Sequence, residues 1–430
     1  MMSDATPGLH TLAVHAGLAP DPATGALQTP IYQTTSFVFK DADHAARLFN
    51  LEEVGYIYSR LTNPTVSALQ TRIAALEGGA GAVATSSGHA AQLLALFPLL
   101  EPGLNFVVSN KLYGGSANQF SQAFKRFGWE ARFVDFEQPG AIEAALDDRS
   151  RAIFCESLAN PGGVVTDLKA VAKIAEAHRI PLVVDNTLAS PALCRPIEHG
   201  ATIVVHSTTK FITGNGTTIG GIVVDSGKFD WAGSGKFPAL SEPSPSYHGL
   251  TFHPTLGSMA YTFYGIAIGL RDLGVSLSPQ NAFLTLLGSE TLPLRIAKHS
   301  SNALAVAEWL EKRPEVEWVS YAGLESSPYR ARSEEYLKGS GGSVFTFGLK
   351  GGYEAGKVFV NSLKLFSLVA NLGDSRSLVA HPASTTHRQM TPEARAAAGA
   401  GDEVVRLSIG LEDVADILAD LEQALKAATA

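Results

Sequence analysis

From residue 64 to residue 225 the sequence alternates short apolar runs with segments of helical periodicity. The apolar runs are nearly continuous, as they are in strands whose two faces are both covered by helices. Strands are predicted at residues 82–85, 106–108, 131–134, 152–156, 180–184, 201–205 and 220–224. This alternation predicts an α/β fold in which helices cover a mostly parallel sheet.

The chain divides into three parts of different character. Residues 1–63 carry Pro, Gly, Thr and aromatic residues with little helical periodicity, which predicts an extended N-terminal arm that packs on a partner subunit. Residues 64–264 form the predicted larger domain, and residues 265–430 a smaller C-terminal α+β domain. The irregular segment 225–257 is predicted to be functional, because loops of that length are uncommon in compact domains.

Composition argues against several classes of function. The chain has 430 residues, a net charge of −8 and no basic stripe, so neither nucleic acid nor a membrane is an expected partner. Its two cysteines, Cys155 and Cys194, cannot form a disulfide framework, which favours a cytoplasmic setting. No signal peptide or membrane span is predicted. His199, His206 and His381 lack metal-ligand spacing, so no metal site is expected.

A lysine and an aspartate each follow an apolar strand. Lys210 comes shortly after the strand 201–205, and Asp185 directly follows the strand 180–184. Ligands of open α/β sheets bind at the carboxyl ends of the strands. There, the Lys210 amine can form a Schiff base with a cofactor aldehyde, while the Asp185 carboxylate holds a pyridinium nitrogen. A solvated lysine and a helix-capping aspartate are the alternatives, but the pair together favours a pyridoxal phosphate (PLP) site.

Two turns of small residues provide donors for a phosphate group. The sequence Ser-Ser-Gly-His at 86–89 joins a strand to a helix, and backbone N–H groups at a helix start bind anions. Ser207 and Thr209 add hydroxyl groups at the same end of the sheet. Alone, a Ser-Gly turn is more often a structural helix cap. Tyr113, on a loop after the second strand, is either a ring-stacking residue or an ordinary core or surface tyrosine.

Arg406 lies within the apolar run 404–409. A buried guanidinium group needs a carboxylate, which it can grip with two parallel hydrogen bonds. That carboxylate belongs either to the protein, in a structural ion pair, or to an amino-acid substrate. The sequence leaves both alternatives open.

Four motifs, in this order, resemble the Cys/Met metabolism family of PLP-dependent enzymes. They are Tyr-Ile-Tyr-Ser-Arg-Leu-Thr-Asn-Pro-Thr at 56–65, Ser-Ser-Gly at 86–88, Val-Asp-Asn-Thr at 184–187 and Ser-Thr-Thr-Lys at 207–210. The resemblance covers nearly the whole chain. It implies a fold type I, aspartate-aminotransferase-like transferase whose larger domain binds PLP.

Within the family, four further segments resemble the O-acetylhomoserine sulfhydrylase branch. They lie at residues 242–249, 271–274, 371–374 and 381–387. The implied reaction is a γ-replacement in methionine biosynthesis, which converts O-acetylhomoserine and sulfide, or a thiol, to homocysteine, or methionine, and acetate. The alternatives are a cystathionine γ-synthase or γ-lyase of the same family, or a non-catalytic protein that keeps the fold. The sequence also leaves open an acetyl or succinyl ester, and sulfide, methanethiol or a carrier protein as sulfur donor.

The resemblance implies roles around the cofactor. Lys210 would form the imine with PLP, Asp185 would pair with the pyridine nitrogen and Tyr113 would stack on the ring. The other cofactor-binding residues would be Ser87, Gly88, the His89 amide, Thr187, Ser207 and Thr209. Tyr58 and Arg60 would reach the phosphate from the neighbouring subunit, so the active unit would be a homodimer, commonly within a homotetramer.

The resemblance also implies a substrate site. Arg406, helped by Asn160 and Asn371, would hold the substrate carboxylate, and Tyr58 would contact the substrate. Two positions depart from the family pattern. His89 stands where many relatives have Gln, Met or Leu, and Asn215 stands where a His is expected.

Overall fold

The computed structural model describes residues 7–160, 163–385, 388 and 399–429. The larger sheet consists of β1 Gly81–Thr85, β2 Asn105–Ser109, β3 Glu130–Val134, β4 Ser150–Glu156, β5 Leu182–Asp185, β6 Ile203–His206 and β7 Gly221–Asp225. Its strand order is β1-β7-β6-β5-β4-β2-β3. Only β7 runs antiparallel to its neighbours within this sheet. The predicted mostly parallel sheet is therefore confirmed.

The smaller sheet belongs to the C-terminal part of the chain. Its strands are β8 Val316–Ser320, β9 Val344–Leu349, β10 Ser367–Leu368, β11 Leu378–Ala380 and β12 Val404–Ser408. They lie in the order β10-β11-β12-β9-β8. The β12 strand, which contains Arg406, is therefore central and pairs with both β9 and β11.

Helices cover both sheets. The α-helices are Leu9–His15, Ala42–Phe49, Pro64–Glu77, Gly88–Leu96, Gly114–Asn118, Ala141–Ala145, Leu168–Ala177, Ser190–Leu193, Trp231–Ser234, Pro238–Ser241, Phe252–Leu256, Ala260–Tyr264, Arg271–Leu273, Pro279–Glu290, Leu292–Leu310, Arg330–Leu337, Gly352–Ser362 and Val414–Ala428. Segments of 3₁₀ helix are Phe124–Phe127, Pro196–His199, Pro245–Tyr247, Gly257–Met259 and Pro382–Ser384, and Gln119–Ala123 and Gly265–Leu270 are π-helical.

The helix Pro64–Glu77 begins and ends where its sequence requires. The Asn63 side chain accepts a hydrogen bond from the Thr65 N–H at 3.0 Å, and Pro64 occupies the first turn. The helix ends at Gly78, whose φ of 75° is the left-handed conformation that glycine adopts most easily. These signals fix the position of Glu77 in the last turn, which matters for the layer beneath the site.

The core has two layers, one on each face of the larger sheet. Val107, Ile153, Val184 and Val204 lie in one cluster. Val108, Phe154, Val183 and Val205 lie in the other. Because side chains alternate between the faces of a strand, residues that follow one another at a strand end also point to opposite faces. A third cluster fills the smaller sheet.

Two segments differ from the sequence expectation. The arm predicted to be extended contains the helices Leu9–His15 and Ala42–Phe49. The second begins at Asp41, which accepts from the His44 N–H at 2.7 Å, and its apolar residues recur at helical spacing, a signal that the expectation overlooked. The irregular segment 225–257 contains four short helical turns.

The described ranges contain no helix long and apolar enough to span a membrane. Those same residues hold no cluster of three or more His, Cys, Asp or Glu side chains suited to a metal ion. Cys155 and Cys194 are both buried free thiols.

Candidate active site

A cavity of about 290 Å³ lies at the carboxyl ends of the parallel strands. Twelve of the fourteen predicted site residues line it: Ser87, Gly88, His89, Tyr113, Asn160, Asp185, Thr187, Ser207, Thr209, Lys210, Asn371 and Arg406. Other lining residues are Gln92, Ser116, Glu156, Leu158, Leu188, Ile219, Ala370 and Leu372. The structure thus brings residues from both sheets around one space.

The Lys210 amine is held where it can act as a nucleophile. Its Nζ donates to Asn371 Oδ1 at 2.6 Å. Burial, and to a smaller extent the positive charge of Arg406, lowers the pKa of Lys210 to about 8. A larger fraction of the amine is therefore uncharged near neutral pH, and only the uncharged amine attacks an aldehyde.

Asp185 is oriented by two donors from different segments. Its Oδ1 accepts from the Thr187 N–H at 3.0 Å, and its Oδ2 accepts from Gln92 Nε2 at 3.1 Å. No Lys or Arg forms an ion pair with it among the described residues. A fixed carboxylate without a cation, lining a cavity, can accept a hydrogen bond from a cationic ring nitrogen.

The start of the helix Gly88–Leu96 approaches the segment after β6. Ser87 caps this helix by accepting from the Ala90 N–H at 3.1 Å. A Cβ added to Gly88 would lie 2.7 Å from Ser207 Cβ, so only glycine permits this approach. Thr187 Oγ1 accepts from the Ser207 N–H at 2.9 Å, which fixes the second wall. The open N–H groups at this helix start, with hydroxyl groups opposite, suit a phosphate.

Tyr113 and His89 form one side of the cavity. Their rings stack with centroids 6.0 Å apart and planes at 28°. Tyr113 is 49% exposed, so its ring has a free face. Burial lowers the pKa of His89, which keeps the imidazole neutral near pH 7. An aromatic ring with an open face at this edge can stack on a planar cofactor.

Arg406 lies beside the cavity without a carboxylate partner among the described residues. Its Nη2 donates to the Asn371 backbone carbonyl at 3.0 Å, and burial lowers the pKa of its guanidinium group. Asn160 is buried, and its Oδ1 also lacks a partner in the described part of the chain. Buried polar groups without partners are costly, which favours a ligand that completes them. The structural ion pair that the sequence left open for Arg406 is not found within these ranges.

Tyr58 and Arg60 do not line the cavity. Both are exposed, and the Arg60 guanidinium carbon lies 5.6 Å from the Tyr58 ring centroid. Within one chain this placement brings neither residue to the site, and their role in a neighbouring subunit stays a prediction. Thr386 and His387, the last two residues of the 381–387 motif, lie outside the described residues.

The sequence reasoning missed Glu156, Gln92 and Ser116. Glu156 ends an apolar strand just as Asp185 does, so the same argument could have found it. Gln92 lies one helical turn after Gly88, which is a weaker signal. Gln92 Nε2 also donates to Ser116 Oγ at 2.9 Å, a contact that no local pattern in the sequence indicates. Asn215 acts within its loop, where its Oδ1 accepts from Thr217 Oγ1 at 2.7 Å and its backbone carbonyl from Arg376 Nη2.

A second polar layer lies beneath the site, on the opposite face of the sheet. His206 Nε2 lies 2.6 Å from Glu77 Oε1, and both side chains are fully buried. Asn186 Nδ2 donates to Glu77 Oε1 at 2.8 Å, and Ser157 Oγ donates to Asn186 Oδ1 at 2.7 Å. Glu77 Oε2 and His206 Nδ1 have no partner in the described ranges. Each strand residue of this buried layer is adjacent in sequence to a residue of the cavity.

The residue set fits PLP. An amine with a lowered pKa suits its aldehyde, a fixed carboxylate suits its ring nitrogen, and the close approach at Gly88 leaves backbone donors for its phosphate. Asn160 Oδ1, which has no partner among the described residues, and the Arg406 guanidinium, which has no carboxylate partner there, remain available for the substrate.

Comparisons with known proteins agree with this fit. Residues 10–426 match the profile of a family described as "Cys/Met metabolism PLP-dependent enzyme". O-acetyl-L-homoserine sulfhydrylase of Leptospira meyeri is 50% identical over 97% of this chain and 96% of that protein. Homocysteine synthase of Schizosaccharomyces pombe is 48% identical over 97% of this chain and 98% of that protein.

A solved structure from Campylobacter jejuni is also similar. It is described as an O-acetylhomoserine (thiol)-lyase and contains a pyridoxyl-lysine phosphate residue. The two structures superpose with a TM-score of 0.95 at 41% identity, over 98% of this chain and all of the other. At this level of similarity the two chains share the same overall fold.

Proposed function

The chain belongs to the Cys/Met metabolism family of PLP-dependent enzymes, and from this we propose that it is an O-acetylhomoserine sulfhydrylase. It replaces the acetoxy group of O-acetylhomoserine with sulfide or a thiol, giving homocysteine or methionine and acetate. The name of the Leptospira meyeri relative supports this substrate, and the name of the Schizosaccharomyces pombe relative supports homocysteine as the product. The observation that carries the proposal is the Lys210 amine and the Asp185 carboxylate on the walls of one cavity, with no ion pair between them.

The cofactor, when bound, supplies a conjugated ring that absorbs negative charge developing on the substrate carbons. This chain's residues place that ring. Lys210 Nζ would hold the cofactor through its aldehyde, Asp185 would face the ring nitrogen, and Tyr113 would stack on the ring. The start of the helix Gly88–Leu96, with Ser87, His89, Thr187, Ser207 and Thr209, would hold the phosphate.

Lys210 would also act as the base. Its Nζ would take the proton from Cα of the substrate and return protons to the neighbouring carbons. The low pKa of its amine suits this role, because a base works best when its pKa is near the working pH. Asn371 Oδ1, 2.6 Å from Nζ, keeps the amine within the cavity.

The substrate carboxylate binds at Arg406. The guanidinium group offers a planar pair of donors, and its backbone contact to Asn371 fixes its orientation. Asn160 adds a side-chain amide from the loop after β4. Leu158, Leu188 and Ile219 give the remaining wall an apolar lining, which suits the methylene groups of the substrate.

The active unit is a homodimer, within a homotetramer. Tyr58 and Arg60 are exposed in one chain, and in the assembly they complete the neighbouring subunit's site at the phosphate and the substrate. Residues 1–63 form the arm that makes this contact, residues 64–264 the PLP-binding domain and residues 265–430 the smaller domain. The setting is cytoplasmic, which agrees with two buried free thiols.

Substitution of the lysine tests the assignment. Lys210→Ala is expected to abolish the visible absorbance of the imine and to lower activity by about a thousandfold or more, because both the covalent link and the base are lost. Retention of both signals would refute the role of Lys210. Product analysis with O-acetylhomoserine plus sulfide, against O-acetylhomoserine plus cysteine, separates a sulfhydrylase from a cystathionine γ-synthase.

A further inference from the structure

Glu156 is a buried carboxylate at the end of β4 that the proposed mechanism does not use. Only 5% of the residue is exposed, and it lines the cavity. Its pairing partner across the parallel strands is Asp185. Two carboxylates therefore lie side by side at the edge of the sheet where the ring nitrogen is placed.

Both oxygens of Glu156 are occupied by backbone donors from two different loops. Oε1 accepts from the Tyr113 N–H at 2.7 Å, and Oε2 accepts from the Asn160 N–H at 3.0 Å. Its own carbonyl accepts from Thr166 Oγ1 at 2.7 Å, so the strand end is also held. Only a carboxylate can accept through both of its terminal atoms, because the amide of glutamine has one acceptor and one donor.

The two residues joined in this way have complementary roles. Tyr113 is the proposed ring-stacking residue, and Asn160 is proposed to bind the substrate carboxylate. A reaction at Cα would need the substrate to be held in a fixed orientation to the cofactor ring. The separation between Tyr113 and Asn160 therefore decides how well the substrate is aligned with the ring.

We propose that Glu156 is a positioning residue, which fixes the ring-stacking loop and the substrate-binding loop relative to each other. This proposal rests on the proposed function, because it needs PLP between Tyr113 and Asp185. It assigns Glu156 no contact with a reacting atom. Its effect is on the orientation of the bound cofactor and substrate.

Electrostatics add to the geometry. Burial, and then repulsion by Asp185, raises the pKa of Glu156 to about 8, while the two backbone donors act in the opposite direction. A cationic ring nitrogen beside Asp185 weakens that repulsion. The cofactor therefore favours the ionised form of Glu156, which is the form that accepts from both N–H groups.

A matched control lies at the opposite edge of the same sheet. Asp225 ends the antiparallel strand β7 and pairs with Ile203, at the start of β6. It is 2% exposed, and its Oδ1 accepts from the Gly227 N–H at 2.9 Å. Asp225→Asn therefore neutralises a buried carboxylate of this sheet without touching the cavity.

The experiment compares E156Q with D225N as purified holoenzymes. Glu156→Gln presents a donor to one of the two N–H groups, so the loops separate. We expect the visible circular dichroism of the bound cofactor to fall by about half, PLP to dissociate about tenfold more readily, and kcat to drop about 10- to 100-fold. D225N is expected to match the parent in cofactor dichroism, PLP dissociation and kcat, even where its melting temperature differs.

Two outcomes overturn the proposal. One is an E156Q enzyme whose cofactor dichroism and PLP affinity match those of D225N, which would leave Glu156 a purely structural residue. If E156Q does not fold, Glu156→Asp decides: it keeps the charge but reaches only one donor, and parent-like dichroism and kcat in E156D would contradict the proposal. A parent enzyme without any visible band would instead refute the proposed function.

Discussion

Two polar layers lie on opposite faces of the strand ends of β4, β5 and β6, and they differ in how their polar and charged side chains are paired. In the layer beneath, Glu77 Oε1 and His206 Nε2 share a hydrogen bond at 2.6 Å, and Asn186 donates to the same oxygen. In the cavity above, Asp185 and Lys210 line one space, together with a second carboxylate and a second cation, and among the described residues no ion pair joins them. Neighbouring residues in sequence thus belong to a network bonded within the protein and to a cavity open to a ligand.

The difference separates structural from functional charge. Hydrogen bonds between buried side chains of the protein hold the strand ends of the lower layer in place, away from the cavity. In the cavity, cations and carboxylates are buried without pairing with each other, which lowers the free energy of unfolding. A ligand with a cationic ring nitrogen, a phosphate and a carboxylate offsets that cost, which is why the cavity suits PLP and an amino acid.

Breaking the lower layer is expected to have the largest effect on stability. Glu77→Ala leaves His206 and Asn186 without their shared acceptor, and each buried polar group that loses its partner costs about 1–3 kcal/mol of unfolding free energy. Urea unfolding measures this change. The partly exposed ion pair of Glu198 with Arg195 provides the control, since Glu198→Ala should cost less than about 1 kcal/mol. Equal losses in the two variants would remove the distinction between the layers.

Asp225 sharpens the comparison, because it is a buried and partly unsatisfied carboxylate far from the cavity. Burial raises the pKa of Asp225 to about 7. A carboxyl group whose folded pKa is raised adds stability below its unfolded pKa, and this stability is lost as the pH rises toward the folded pKa. Between pH 5 and pH 8 the free energy of unfolding of the parent should fall by about 2 kcal/mol through the ionisation of Asp225.

Asp225→Asn resembles the neutral acid and should not lose that stability. The measurement is the free energy of unfolding of parent and D225N at both pH values. An unchanged difference between the two proteins from pH 5 to pH 8 would show that the carboxyl is not perturbed. A change in kcat would show that unsatisfied charge outside the cavity also serves catalysis.

The smallest expected effect comes from Arg406→Lys in the upper layer. Lysine keeps the charge but loses the planar pair of donors, so KM for O-acetylhomoserine should rise about tenfold, which corresponds to about 1.4 kcal/mol. The visible spectrum of the cofactor should not change. A loss of cofactor absorbance with an unchanged KM would mean that Arg406 supports the ring and not the substrate.

The sequence reveals the upper layer more readily than the lower one. Asp185 and Lys210 follow apolar strands, and a strand followed by a charged residue is visible in one dimension. The pairing of Glu77 with His206 joins a helix end to a strand 129 positions away, and no local pattern indicates it. The helix Ala42–Phe49 of the arm differs, because its sequence does carry a signal. Asp41 caps it, and Ala42, Ala45, Ala46 and Phe49 recur at helical spacing.

Borohydride reduction followed by peptide mapping tests the central claim most directly. Reduction converts an imine between PLP and a lysine into a stable secondary amine, and mass spectrometry then locates the modified residue. The account predicts one phosphopyridoxyl group per chain, on Lys210. Modification of a different lysine, or none in an enzyme that retains bound PLP, would contradict it.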